Sequence, residues 1–576
     1  MSSIITSLLK ATLGFLVDKA RDRAVEKLKD GDVVDQKIRE IIAREIEDVK
    51  SKLDALSRKD LLAAIDAFET GVGYLYKAMD LQTDAATKAR QRTDEAQLKE
   101  AVSLTTSPAP VDSIVLAAGI RNMELTEFIG EARRALSEGK ERFKMAREEA
   151  TKAFNNESLS TLDRITAIRY RVMAAILKSA VEILGAASEL SSLSVKIALK
   201  GALPECEQCL RKLHSLPDVK NNFKVELKKG LLNIRGRFKK EDRREIIAAV
   251  WQVNLAINDV LQATGENIDI CYYPTIDIED ETIDPQRDGR VAEVLQKLGI
   301  DHKGIVWSFG EDGEDDHKLK NAKGIAINAD GEFILVDDDK SVKVFDNNGK
   351  FIYKFYPHVR QTGYTGTELL AVATDENNNT YVLVRDQIGR NRLEVQVFNG
   401  AELGMKFHVY LGEEWVTKLR VVNGKVLALA GVVVGVYDLN GRYERSFGRG
   451  ILSVACDIAV GPGGQIFVLN ELDCIVFNED GVKKHEFTVS RGLKELPCGL
   501  AVHPLGEFVF LVGVDIDTRR SLTVQMYTED GEFYRKITLR ENVLFYPEPP
   551  LVAINKEGRL AVTCKLEGVN AMVIVL

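Results

Sequence analysis

Seven cysteines and seven histidines are the residues of this 576-residue chain best suited to metal or thiol chemistry. Cys206-Glu207-Gln208-Cys209 has the spacing of half a zinc site or of a redox pair. Zinc requires a second pair, which His214 alone does not complete, and a thioredoxin-type dithiol requires a preceding strand. The stretch from Pro204 reads instead as helix, so two ordinary helix cysteines are expected. His317, His358, His408, His485 and His503 show no ligand spacing. The run Glu311-Asp312-Gly313-Glu314-Asp315-Asp316 could hold a cation or a basic partner but reads as a solvated blade-edge loop. Asp337-Asp338-Asp339 reads as loop capping at the blade surface, because the Gly and closing Glu of an EF-hand are absent. No phosphate loop, dinucleotide fingerprint, HExxH or GxSxG occurs. The expectation is therefore a non-enzymatic chain with no catalytic residue, no cofactor and no metal.

Two surfaces invite partners rather than chemistry. Between Val219 and Arg244 stand ten Lys/Arg, of which Lys228, Lys229, Arg235, Arg237, Lys239, Lys240, Arg243 and Arg244 form the candidate basic contact surface. It suits anionic lipid, nucleic acid, or the acidic stretch Asp277–Asp288 of the same chain. Only Phe223 and Phe238 interleave it, which gives no support for base stacking. At the N-terminus, Ile4, Ile5, Leu8, Leu9, Leu13, Phe15, Leu16 and Val17 cover well over half the circumference of a helix. Such a helix must be buried in a bundle, against a partner or in a membrane interface. Lys10 interrupts the run and Asp18-Lys19 ends it, so it is too short to span a bilayer and lacks the pattern of a secretory leader.

The C-terminal half is built of repeats. Strands begin at Gly331 (GEFILVD), Asn379 (NTYVLVR), Gly424 (GKVLALA), Gly464 (GQIFVLN), Gly506 (GEFVFLV) and Gly558 (GRLAVTC), spaced 48, 45, 40, 42 and 52 residues apart. Forty-odd residues is the length of one four-stranded propeller blade. A second ladder of strands ends in Asn348-Gly349, Asn440-Gly441, Asp480-Gly481 and Asp530-Gly531, which favour tight hairpins. The second segment carries Glu402-Leu403-Gly404 there, which predicts a longer outer turn. The sixth segment stops one strand short at Val573-Ile574-Val575-Leu576. Ile305–Gly310 resembles the outer strand at Arg445–Gly448 and is expected to close the ring, removing two open edges. Region 303–576 is thus predicted as a six-bladed β-propeller.

The stretch GIAINADGEFILVDDDKSVKVFDNNGKFIYKF from Gly324 resembles an NHL repeat, found in the six-bladed propellers of tripartite-motif ubiquitin ligases and of several extracellular enzymes. The ligases carry RING and B-box zinc modules before the propeller. Cys206, Cys209, His214 and Cys271 are too few ligands for these. The lyase-type NHL enzymes hold metal on propeller histidines, and no matching pattern is found here.

Residues 1–265 read as helix almost throughout. Ile38, Ile42, Ile46, Val49, Leu53 and Leu56 form one apolar seam, and Ser57–Asp60 opens a second helix folded back on it. Ser107-Pro108-Ala109-Pro110 separates a bundle at 1–106 from a second region at 111–265. There helices are expected from Ser160, from about Pro204 to His214, and from Lys240 to Leu261. Whether these make a bundle or stacked coiled-coil-like hairpins stays open. An acidic linker is expected at 266–302. An apolar helix leading a bundle is similar in layout to HeLo-type cell-death effectors.

The net charge is −9. Residues 301–576 hold 31 Lys/Arg against 39 Asp/Glu, which disfavours nucleic acid at the propeller. The sparse, odd number of cysteines favours a reducing, cytoplasmic setting. The leading expectation is an adaptor or scaffold: the propeller binds protein or peptide, and the helical half forms a homo-oligomer or meets a second partner. The alternative is a membrane-acting effector whose first helix contacts the bilayer and whose propeller is the sensor. A metal-dependent propeller hydrolase or lyase is the third class.

Overall fold

The computed structural model describes residues 36–51, 53, 58–103, 130–186, 192–227, 240–264, 271–279, 281–300, 307–311, 316–358, 367–386, 392–412, 414–489, 495–515, 521–540, 543, 549–566 and 571–576. The chain forms two compact units, residues 1–268 with 274–276, and residues 269–273 with 277–576. The expected architecture is present: a helical N-terminal half followed by an all-β, six-bladed propeller.

In the helical unit, α1 spans Gln36–Ser51, α2 Lys59–Ser103, α3 Gly130–Asn155 and α4 Thr161–Ala186. Helices α5 (Ser192–Ser215), α6 (Pro217–Leu227) and α7 (Lys240–Thr264) follow. Ser160 opens α4 as its sequence predicts: its Oγ accepts from the Asp163 N–H at 3.1 Å and donates to Asp163 Oδ2 at 2.7 Å. Arg58 Nε donates to the same carboxylate at 2.9 Å, tying the start of α2 to that of α4. Helix α4 packs against α2, α3, α5 and α7, which makes the region a bundle rather than a row of hairpins. Its apolar side chains between Ile165 and Val181 are buried, and Tyr170 meets Phe68 edge-on at 5.4 Å. Helix α5 begins at Ser192, well before Pro204, so Pro204 sits inside it at the loss of one backbone bond.

The other unit opens with β1 (Ile276–Ile278), β2 (Glu281–Ile283) and α8 (Gly289–Lys297), then β3 (Trp307–Phe309). Blade 1 is β4 (Ala322–Ile327), β5 (Phe333–Asp337), β6 (Val342–Phe345) and β7 (Phe351–Phe355). Blade 2 is β8 (Thr367–Thr374), β9 (Asn379–Asp386), β10 (Arg392–Asn399) and β11 (Glu402–Val409). Blade 3 is β12 (Val416–Val422), β13 (Lys425–Ala430), β14 (Val433–Asp438) and β15 (Tyr443–Phe447). Blade 4 is β16 (Ala455–Val460), β17 (Ile466–Asn470), β18 (Asp473–Phe477) and β19 (Lys483–Thr488). Blade 5 is β20 (Glu495–Val502), β21 (Phe508–Asp515), β22 (Ser521–Thr528) and β23 (Phe533–Arg540). Blade 6 is β24 (Val552–Ile554), β25 (Leu560–Cys564) and β26 (Met572–Val575), completed by β3. The closing strand pairs antiparallel with β26, Phe309 opposite Val573 and Trp307 opposite Val575. The inner strands β4, β8, β12, β16, β20 and β24 contact one another in a closed ring.

The hairpin glycines serve two purposes. Gly349, Gly441, Gly481 and Gly531 all have φ between 75° and 87°, where an L side chain is disfavoured. Each also lies beneath an aromatic from the preceding blade. A Cβ would fall 2.1 Å from Phe407 at Gly441, 2.5 Å from Phe447 at Gly481 and 2.3 Å from Phe487 at Gly531. The ring of Phe309 covers Gly349 in the same way. The outer turn of blade 2 is not longer than the others. It is a two-residue turn with Asn399 opposite Glu402, so Gly400-Ala401, with Gly400 at φ 58°, is itself the hairpin dipeptide.

The segment expected as an acidic linker is folded onto blade 5. Thr282 Oγ1 donates to Lys536 O at 3.2 Å, and Gly289 approaches Leu539 O so closely that a Cβ would lie 2.1 Å from it. Three of its acids, Glu281, Asp284 and Asp288, are paired from within. Arg287 Nη1 meets Asp284 Oδ2 at 2.7 Å with both side chains buried, and Arg290 bridges Asp288 and Glu281 at 2.6 Å each. This covers part of the exposed edge of β23.

Candidate ligand face of the propeller

In an antiparallel four-stranded blade, the connection into the first strand and the one between the second and third strands lie at one end. The turns after the first and third strands lie at the other. The turns at that second end are short, two to five residues each by the strand bounds. Longer connections gather at the opposite end, such as those between β3 and β4, β7 and β8, and β23 and β24.

Five inner strands enter the ring through a β-bulge at the same level. The extra residues are Lys323, Leu370, Thr417, Cys456 and Cys498, each leaving two residues opposite one on the neighbouring strand. A bulge re-aims a side chain and raises local twist, so these five mark the mouth of the axial channel at the long-connection end. Immediately inside, Asp457 fastens three inner strands. Its Oδ1 accepts from Arg420 Nη2 at 3.2 Å and from the Ile458 N–H at 2.9 Å, and its Oδ2 accepts from the Leu500 N–H at 2.9 Å. Burial and the adjacent Asp457 push the Cys456 thiol up to about 11, and burial with the neighbouring Cys456 pushes Cys498 up as well. Both thiols stay protonated at neutral pH and act as packing groups.

The connections that lead to the inner strands expose Tyr356, Tyr410, Trp415, Ile451 and Val454. Tyr410, 77% accessible, is held on the flank of blade 3 by the Tyr437 hydroxyl, which donates to Tyr410 O at 3.1 Å and accepts from its N–H at 3.2 Å. The Arg385 guanidinium lies 5.0 Å over the Trp415 ring and pairs with Glu368. Incoming loops are held by the ends of second strands. Asn470 Oδ1 accepts from the N–H groups of Ser453 and Val454, at 2.8 and 3.1 Å. Asp337 accepts from the N–H groups of Lys320 and Asn321, at 3.0 and 2.7 Å, and from the Lys343 ammonium at 2.6 Å. The capping expected of Asp337-Asp338-Asp339 is thus present, but Asp337 and Lys343 form a fully buried pair rather than a surface cap. Asp316, in the acidic run, pairs with Lys354 at 2.5 Å.

The remaining candidates are dispersed. His317 stacks on Phe351, the His485 ring meets Glu529 O, and the His503 ring accepts from the Leu505 N–H. Among the described residues no group of three His, Cys, Asp or Glu is placed to hold a metal. Cys206 and Cys209 are buried in α5, where burial pushes both thiols up, Cys209 to about 11. Among the described residues no helix is long and apolar enough to cross a membrane.

The first-helix candidates Ile4, Ile5, Leu8, Leu9, Leu13, Phe15, Leu16 and Val17 lie outside the described residues, as do Lys228, Lys229, Arg235, Arg237 and Lys239. Of the other basic candidates, Lys240 opens α7, Arg243 is partly exposed, and Arg244 Nε pairs with the buried Glu226 at 3.1 Å. The bulged ring was not identified from sequence, because a bulge shows only once two strands are in register.

No protein-family model matches the chain. No curated protein matches it. Among solved structures it is similar to a protein of unknown function from Bacteroides caccae, at 11% identity and a TM-score of 0.31, covering 38% of this chain and 81% of that one. It is also similar to a chain of a mitotic checkpoint complex, at 8% identity and a TM-score of 0.34, covering 47% of this chain and 90% of that one.

Proposed function

We propose that this chain is a non-enzymatic adaptor or scaffold of the cytosol. Its propeller, of NHL type, takes up a protein or peptide, and its helical half mediates oligomerisation or engages a second partner. The observation that carries this reading is the asymmetry of the propeller. Exposed Trp415, Ile451 and Val454 stand on the connections that lead into the bulged inner strands, at the end bearing the long connections, and exposed Tyr410 precedes Trp415 on the same connection. Apolar side chains flanked by an ion pair such as Arg385–Glu368 have the make-up of a protein-binding patch. The NHL assignment rests on the stretch from Gly324 and on the turn chemistry repeated around the ring. The cytosolic setting is supported by seven free cysteines, six of them buried, which a reducing compartment tolerates.

The test is affinity capture with the full chain, comparing wild type with the pair Tyr410→Asp and Trp415→Asp. A matched control, Leu505→Asp, alters an equally exposed residue at the tight-turn end. Proteins retained by wild type and control but lost from the pair support the reading. An unchanged set of retained proteins, with the fold intact by circular dichroism, refutes it.

A further inference from the structure

The helical unit contains a recess that the reading of the propeller does not use. It lies between α3, α4 and α5, has a volume of about 740 Å³, and is walled by Arg147, Glu148, Thr151, Lys152, Arg171, Pro204, Glu205 and Gln208. At its base two guanidinium groups share one carboxylate. Arg147 Nη1 meets Glu205 Oε2 at 2.9 Å, and Arg171 Nε meets Glu205 Oε1 at 3.2 Å. Arg171 Nη2 donates to Gln208 Oε1 at 3.3 Å, which turns the amide nitrogen of that exposed side chain away from the pair as a further donor. Arg171 is itself more than nine-tenths buried, and its Nη1 is enclosed with no acceptor among the described residues.

A buried guanidinium that shares its only carboxylate and leaves a donor unmade is held at a cost. An oxyanion seated beside the pair offsets part of that cost by supplying the missing negative charge. The walls carry three cationic side chains against two carboxylates, and Lys152 also meets Glu149 at 2.7 Å, so the pull on an anionic guest comes chiefly from the two guanidinium groups that share Glu205. The donors come from three helices and converge from different directions, which suits a tetrahedral oxyanion. The volume is that of a small-molecule site and exceeds a lone phosphate ion. No aromatic and no aliphatic side chain except Pro204 stands in the wall, which gives a nucleobase nothing to stack on. Glu148 and the Thr151 oxygen, whose proton is donated to Arg147 O at 2.7 Å, are acceptors suited to ligand hydroxyls.

We propose that the recess between α3, α4 and α5 binds a phosphate monoester carried on a small polyol, with Arg147, Arg171 and Lys152 meeting the phosphoryl oxygens and Glu148 the hydroxyls. Its source is either a soluble sugar or cyclitol phosphate or the phosphorylated polyol headgroup of a lipid. Calorimetry on the full chain at fixed ionic strength tests this with glucose 6-phosphate, inositol trisphosphate and inorganic phosphate. Flotation with phosphatidylcholine vesicles, with and without phosphatidylinositol 4-phosphate, distinguishes the source. Saturable binding of a phosphorylated polyol, weakened at least about tenfold by Arg147→Gln, supports the proposal, since one charge-assisted bond is worth that much. Lys152→Ala should weaken it less. Arg147 and Lys152 are 35% and 61% exposed, so both variants test the site even if Arg171→Gln does not fold. Binding only to the phosphoinositide vesicles, lost with Arg147→Gln, supports the proposal and assigns the ligand to lipid. No saturable binding in either assay overturns the proposal. So does affinity unchanged by Arg147→Gln, or equal affinity for inorganic phosphate.

Discussion

Replacing Gly441 by alanine separates the two demands that a hairpin glycine meets in this propeller. Gly441 has φ 80°, and an added Cβ would sit 2.1 Å from Phe407 Cγ in the preceding blade. Gly424 has φ 71° in the same blade, but an added Cβ meets nothing within 4 Å. Alanine in the left-handed region costs about 1–2 kcal/mol at either position. At Gly441 the ring of Phe407 must also shift, an overpacking cost of about 1–3 kcal/mol more. Gly441→Ala should therefore destabilise by about 2–5 kcal/mol and Gly424→Ala by about 1–2 kcal/mol. Urea unfolding followed by tryptophan fluorescence reads the difference, because Trp415 stands at the start of blade 3. Adding Phe407→Ala should recover most of the excess in the Gly441 variant and nothing in the Gly424 variant. Equal losses at the two glycines, or no coupling between Gly441 and Phe407, would refute the view that each blade is pinned through its turn glycine.

Three further outcomes follow from the same geometry. Lys343→Met leaves the buried Asp337 without its cation and should cost about 3–5 kcal/mol, read as a lowered unfolding midpoint. Phe309→Ala empties the ring contacts to Phe333 and Phe345 at 5.0 and 4.8 Å on the closing strand. It should cost about 3–5 kcal/mol and promote self-association visible by light scattering. At Asp339, burial opposes the charge, but hydrogen bonds from Ser341 and Lys343 prevail and hold its carboxyl below the usual range. A depressed folded-state value means stability that is present above the unfolded carboxylate range near pH 4 and lost as pH falls through the folded value. Asp339→Asn should flatten that acid limb in a pH series of urea midpoints, and an unaltered limb would contradict it.

What was legible in the sequence and what was not divides along physical lines. The blades were legible because turn glycines and short apolar strands leave local marks, and the closing strand because Trp307-Ser308-Phe309 matches an outer strand elsewhere in the ring. Helix α3 left little mark: it buries Ala132, Ala135, Ala146, Ala150 and Ala153 with only two rings, Phe143 and Phe154, so its apolar periodicity is faint. Pro204 was misleading as a helix start, since α5 tolerates it inside. The acidic stretch was misread by composition, although Asp284 and Arg287, and Asp288 and Arg290, stand at spacings that pair within one turn. Arg171 did carry a usable signal, a lone charge within the buried run from Tyr170 to Leu177. The bulged residues carried none, since a bulge is a property of two strands in register.

The two ends of the propeller differ in what they can accommodate. At one end, turns with positive φ are clamped beneath Phe309, Phe407, Phe447 and Phe487, so an insertion there would lift an aromatic out of a blade seam. At the other end, a connection needs only to reach the cap at Asp337 or Asn470 before its inner strand begins. Extra length there adds little closure entropy and leaves the ring of inner strands undisturbed. The bulge that follows sets the direction of each channel-mouth residue whatever precedes it. Scaffold and variable surface are thereby separated within each blade, and the Asp457 carboxylate, fastening three inner strands just below the mouth, gives that surface a stiff base. Binding on such a base loses little entropy to ordering the protein, which is why the mouth, rather than the tight-turn end, is where substitutions should be spent first.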